Sequence, residues 1–183
     1  MRAVHTTTVA DLGHEPFLRG MRRADLARLA TAVRIVEVPA GRRIVAEGEP
    51  AERFWLVRGG EVAVDLRLPG GGTAVIETLG PGTVLGWSWM VRPHEWRFGA
   101  VARTPVEAVE FDGRLVRTLC AVDPSLGYEL TRRFAAVMAE RLQSTRLRLV
   151  ERILDEAGLD EAGLDRAGLD RAALDEAGHA SGN

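Results

Sequence analysis

Between Arg34 and Phe111 the chain is cut into short apolar runs by glycine and proline, a spacing that suits strands. Ile35, Val36 and Val38 run into Pro39-Ala40-Gly41; Ile44 and Val45 run into Glu47-Gly48-Glu49-Pro50. Phe54 to Val57 is a short apolar strand ended by Arg58-Gly59-Gly60, and Glu61 to Leu66 reads as the next strand. Pro69-Gly70-Gly71-Gly72 reads as a hairpin loop, after which Thr73 to Leu79 returns; Val101 to Phe111 supplies the last strands. The pattern predicts a mainly β fold with accessory helices: an antiparallel β-roll, jelly-roll-like, of the double-stranded β-helix kind.

Helical periods flank the roll. Phe17, Leu18, Met21, Leu26, Leu29 and Val33 recur at helical spacing before it, so residues 16–122 are expected to form the roll with short lead-in helices, and the polar, aperiodic residues 1–15 a flexible N-terminus. Asp123-Pro124 has the form of an N-cap followed by proline at the first helical position. From there Leu126, Leu130, Phe134, Val137, Met138, Leu142, Leu149, Val150 and Ile153 predict one long helix over residues 123–154. A helix this long carries more apolar stripe than a compact roll can cover, which points to a homodimer formed through it. In residues 155–183 leucine recurs every five residues in AGLDE and AGLDR units, a period of neither helix nor strand; a disordered low-complexity tail is expected.

Composition narrows the function. The formal net charge of −2 gives no overall basic field for nucleic acid. One cysteine, Cys120, excludes a disulfide framework and reads as a small buried hydrophobe. With no apolar run of membrane-spanning length and no apolar core in the N-terminal residues, no membrane is expected as a partner and the expected location is cytoplasmic. No nucleophile elbow, His-x-x-x-His pair or histidine–carboxylate cluster is present, so the chain reads as a non-enzyme without a cofactor or metal.

The candidate site is the stretch from Gly80 to Val101. It opens on Gly80-Pro81-Gly82 and holds three of the four tryptophans, Trp87, Trp89 and Trp96, with Arg97 ten residues after the first. The three indoles either form a cage for a planar or apolar ligand or fill the space as core. Arg97 either holds a phosphate or carboxylate or pairs with an acid such as Glu95. His94, alone on a loop, reads as solvated.

Several of these pieces, in this order and spacing, resemble the cyclic nucleotide-binding domain family of catabolite activator and Fnr-type regulators. They are Val38-Pro39-Ala40-Gly41, Glu47-Gly48-Glu49-Pro50, Phe54 to Gly60, Val62 and Val64, Gly80-Pro81-Gly82 and Leu85-Gly86. The resemblance covers roughly residues 15–153. It implies a β-roll with a long C-terminal dimerisation helix, and a phosphate-binding cassette of the form Phe-Gly-Glu followed about ten residues on by arginine and a small hydroxyl residue. Leu85, Gly86, Trp87, Ser88, Trp89, Trp96, Arg97 and Phe98 fall on that cassette. Gly86 and Arg97 match its glycine and arginine, whereas Trp87 stands at the glutamate that would accept the ribose hydroxyl and Phe98 at the hydroxyl residue. On the long helix Thr145 matches a base-contacting threonine, or is a polar residue in a dimer seam. The family's regulators carry a helix-turn-helix; no recognition helix can be placed after Ile153, so direct nucleic-acid binding is not expected.

Three functions follow. The first is a dimeric sensor module with a remodelled pocket that takes a small anionic or aromatic effector instead of cAMP or cGMP; it predicts a cavity beside Arg97. The second is a ligand-free interaction scaffold with a tryptophan-filled pocket. The third, a true cyclic-nucleotide receptor acting through a partner chain, requires Trp87 to point away.

Overall fold

The computed structural model describes residues 2–3 and 9–156. Among the described residues nine strands form two antiparallel sheets: β1 (Arg2–Ala3), β2 (Val33–Val38), β9 (Val106–Asp112), β4 (Arg53–Gly59) and β7 (Val84–Leu85) in one, and β3 (Arg43–Val45), β8 (Gly99–Ala102), β5 (Val62–Arg67) and β6 (Thr73–Leu79) in the other. This is the β-roll the punctuation predicts: the chain crosses from sheet to sheet at the Pro39–Gly41 and Gly59–Glu61 turns, and β5 and β6 make a hairpin across Pro69–Gly72.

Strand β9 is central, with β2 on one side and β4 on the other. Its register puts Phe54 beside Phe111 and Leu56 beside Val109, and on the opposite face Trp55 beside Glu110 and Val57 beside Ala108. All eight are buried, so this sheet is covered on both faces. On the first face Phe54 stacks on Phe111, centroids 4.4 Å apart, and meets Phe134 edge-on at 5.4 Å. On the second, the buried Glu110 carboxylate accepts from the Trp55 indole at 3.0 Å and from Arg34 Nε at 2.7 Å. Arg34 and Trp55 are its direct cross-strand neighbours, so register alone supplies both donors.

Among the described residues four α-helices accompany the roll: α1 (Val9–His14), α2 (Arg23–Leu29), α3 (Gly113–Val122) and α4 (Pro124–Glu156). Helix α4 starts as Asp123-Pro124 predicts: the Asp123 carboxylate accepts from the backbone of Ser125 at 3.0 Å and of Leu126 at 3.4 Å. Burial opposes its ionisation, but those amides, with Arg28 and Arg22, hold its carboxyl below the ordinary range. Leu126, Leu130 and Phe134 are buried, and Arg133 donates to the carbonyls of Phe17 at 2.6 Å and Arg19 at 2.9 Å.

The chain divides into two compact units, Met1–Phe134 and Ala135–Asn183. The described part of the second is helical, with Leu142, Leu147, Leu149, Val150 and Ile153 exposed. Among the described residues no helix is long and apolar enough to cross a membrane.

Two expectations need adjustment. A flexible segment over residues 1–15 does not describe α1, where Leu12 is wholly buried, nor Glu15, whose buried carboxylate accepts from Arg58 Nε at 2.7 Å. The roll is also followed by a separate helix, α3, before the long one. The pentad repeat from residue 157 onward lies outside the described residues.

Phe134→Ala empties a site walled by Phe17, Phe54 and Trp89. Chemical denaturation is expected to show a loss of about 3–5 kcal/mol. Glu110→Ala, which strips the Trp55 indole and Arg34 of their acceptor, is expected to cost about 1–3 kcal/mol in the same assay.

Candidate functional site

The site begins where β7 pairs with β4, Leu85 opposite Trp55. Leu85 is buried, and the chain then turns at Gly86 with φ +93°. A Cβ at Gly86 would lie 2.7 Å from the Trp96 ring, so the indole rests directly on glycine backbone and no larger residue fits. Trp96 is held in place by its own backbone, which donates to the Glu49 carbonyl at 2.8 Å and accepts from the Gly48 amide at 2.9 Å. Its ring also tilts against Trp55, centroids 5.8 Å apart. The Glu47–Pro50 turn is therefore the outer brace of the cassette.

Trp87 is half-buried and leads into a single 3₁₀ turn, Ser88–Met90. Ser88 is buried, and Trp89 is 1% exposed. The Trp89 ring stacks on Phe54 at 4.8 Å and meets Phe134 edge-on at 5.5 Å, while its carbonyl accepts from Arg117 at 2.8 Å. The following loop folds back on itself, the His94 amide donating to the Val91 carbonyl at 2.8 Å and the His94 carbonyl accepting from Ala51 at 2.7 Å. His94 is less solvated than a loop position suggests: its Nδ1 is buried without a partner, as is the Trp89 indole nitrogen.

Arg97 projects from this loop into solvent and, among the described residues, makes no hydrogen bond or ion pair. The pairing with Glu95 is not formed; Glu95 instead bridges Pro50 through the backbone. Phe98 is half-buried. At Gly99, where β8 starts, a Cβ would fall 2.1 Å from Asp65 Oδ1. That carboxylate is buried and takes a two-pronged bond from Arg43 at 2.8 and 3.1 Å, which raises the Arg43 guanidinium further against the opposing effect of burial. The cassette thus ends against a fixed ion pair.

The structure brings Leu85, Gly86 and Trp96 together and separates the tryptophans. Trp89 belongs to the aromatic core with Phe54 and Phe134, and Trp96 packs on Trp55; these different neighbours do not form one cage. Thr145 belongs to the second unit, is exposed, and donates to the Arg141 carbonyl one turn back at 2.8 Å. Sequence reasoning missed Trp55 and the Glu49 carbonyl as supports of Trp96; the signal was the turn chemistry of residues 47–50. Cys120 is half-buried, and burial, followed by Asp123, pushes its thiol up, away from reactivity. Among the described residues no three His, Cys, Asp or Glu side chains gather to hold a metal.

Comparison with known proteins agrees with this geometry. Residues 35–123 match the family model described as cyclic nucleotide-binding domain. A CRP-like cAMP-activated global transcriptional regulator of Mycobacterium tuberculosis is 28% identical over 142 residues, covering 78% of this chain and 62% of the regulator. The chain thus spans under two thirds of that relative's length. A cyclic nucleotide-binding domain from Methylobacillus flagellatus shares the fold at TM-score 0.65 and 21% identity, over 72% of this chain and 74% of that one. The catabolite activator protein of Thermus thermophilus does so at TM-score 0.60 and 23% identity, over 78% and 65%. The matched residues run over the two-sheet roll and end where the long C-terminal helix begins, and over residues 35–123 the chain matches the cyclic nucleotide-binding domain family.

Proposed function

We propose that this chain is the sensor domain of a dimeric, non-catalytic regulator whose pocket is remodelled to take a small anionic or aromatic effector in place of cAMP or cGMP. The observation that carries the reading is Arg97, exposed and uncommitted to any acid at the family's arginine position. A guanidinium left free in this way is suited to a phosphate or carboxylate. The flanking positions argue against the standard ligand. Trp87 and Phe98, both half-buried, offer no acceptor for a ribose hydroxyl and no hydroxyl for a phosphate. An unpaired ligand hydroxyl costs about 1–3 kcal/mol, roughly ten- to a hundredfold in affinity.

A second reading, the ligand-free scaffold, draws support from Trp96, whose ring lies hard against Gly86, and from Trp89, which is committed to the core. Both readings need a route outward, and the exposed Leu142, Leu147, Leu149, Val150 and Ile153 of α4 supply a surface for a second copy of the chain. On either reading the domain acts through such a dimer or a partner chain. The regulatory role, though not the change of ligand, takes its direction from the relatives, one of which is described as a cAMP-activated transcriptional regulator.

If remodelling is what excludes cyclic nucleotides, the double variant Trp87→Glu, Phe98→Ser restores the missing acceptor and hydroxyl. It is expected to bind cAMP at least about tenfold more tightly than the unmodified chain in calorimetric titration. No gain in a variant that melts like the parent would refute the assignment of these two positions. The dimer is tested separately: Leu147→Glu with Val150→Glu is expected to halve the mass measured by light scattering after size exclusion, and an unchanged mass would place the interface elsewhere.

A further inference from the structure

A cleft of about 290 Å³ whose lining does not include Arg97 lies between the β2–β3 turn and the Glu49–Arg53 segment, with Trp55 and Trp96 in its wall. Its charged side chains fall into two groups. Arg43 is locked to Asp65, Glu52 lies 3.5 Å from Arg114, and Arg53 leans toward Glu110 at 3.6 Å. Arg42 and Glu49 are different: both are exposed, both line the cleft, and neither side chain has a hydrogen-bond or ion-pair partner among the described residues. The cleft therefore presents one uncommitted cation and one uncommitted anion beside two indoles. The size is near the lower end of small-molecule sites, about 300–1,000 Å³.

From this combination we infer a second ligand site for an apolar free α-amino acid. Its carboxylate takes Arg42, its ammonium takes Glu49, and its side chain lies against the indoles of Trp55 and Trp96. A purely anionic ligand would meet Glu49 unpaired, and a purely cationic one Arg42; a zwitterion satisfies both. The ligand would rest on the same Trp96 ring that closes over Gly86, so occupancy bears on the backbone of the cassette at its glycine. The site does not use Arg97, and it stands whether or not the cassette takes a ligand.

The test titrates the purified full chain with L-phenylalanine and L-leucine, followed by calorimetry and tryptophan fluorescence. Phenylacetate, which lacks the amine, and phenethylamine, which lacks the carboxylate, are the controls. Saturable binding of at least one amino acid is expected, with both controls weaker by about tenfold or more. Arg42→Ala and Glu49→Gln, both at exposed positions, are each expected to weaken binding about tenfold while melting like the parent. The inference is overturned if neither amino acid saturates at millimolar concentration. It is equally overturned if phenylacetate or phenethylamine binds as tightly as phenylalanine, or if both variants bind like the unmodified chain.

Discussion

Phe54 is the point at which the separately encoded parts of this protein meet. From the middle of β4 its ring stacks on Phe111 of the central strand and on Trp89 of the cassette, and takes the edge of Phe134 from α4. Sheet, cassette and C-terminal helix are therefore clamped by one side chain, with no polar group involved. Aromatic pairs of this kind add about 0.5–1.5 kcal/mol each beyond their buried area. The Trp89 ring on that turn meets Phe134, the last residue of the first unit. If occupancy is signalled, this contact is the physical link available to carry it within the roll.

The same economy explains the form of the cassette. Two of its three indoles are committed, Trp89 to the clamp and Trp96 to the glycine backbone of Gly86, and neither can leave without exposing core. That leaves Trp87, Arg97 and Phe98 as the variable part, carried on a loop braced by the Glu47–Pro50 turn on one side and by the Arg43–Asp65 pair behind Gly99 on the other. A rigid frame that carries a few side chains outside the core allows a ligand preference to change while the fold is kept.

The roll was legible because its signals are local. Gly and Pro at 39–41, 59–60 and 69–72 mark turns whatever the tertiary context, and the Asp123-Pro124 cap named the start of α4 to the residue. What escaped was whatever depends on which way a side chain points. Three tryptophans in one loop look alike in sequence, yet Trp89 faces the core and Trp96 faces Trp55. Glu110 reads as an ordinary polar position in a strand, and only the register that sets it between Arg34 and Trp55 explains why a carboxylate is buried there. Leu12 escaped because a six-residue helix is too short to display a period.

The central claim is that the fold is kept while the standard ligand is lost. Calorimetric titration of the unmodified chain with cAMP and cGMP tests it most directly. The account predicts no saturable heat and no thermal shift with either nucleotide. Micromolar binding that disappears in Arg97→Ala would contradict it, and would mean that another acceptor reaches the ribose despite Trp87 and Phe98.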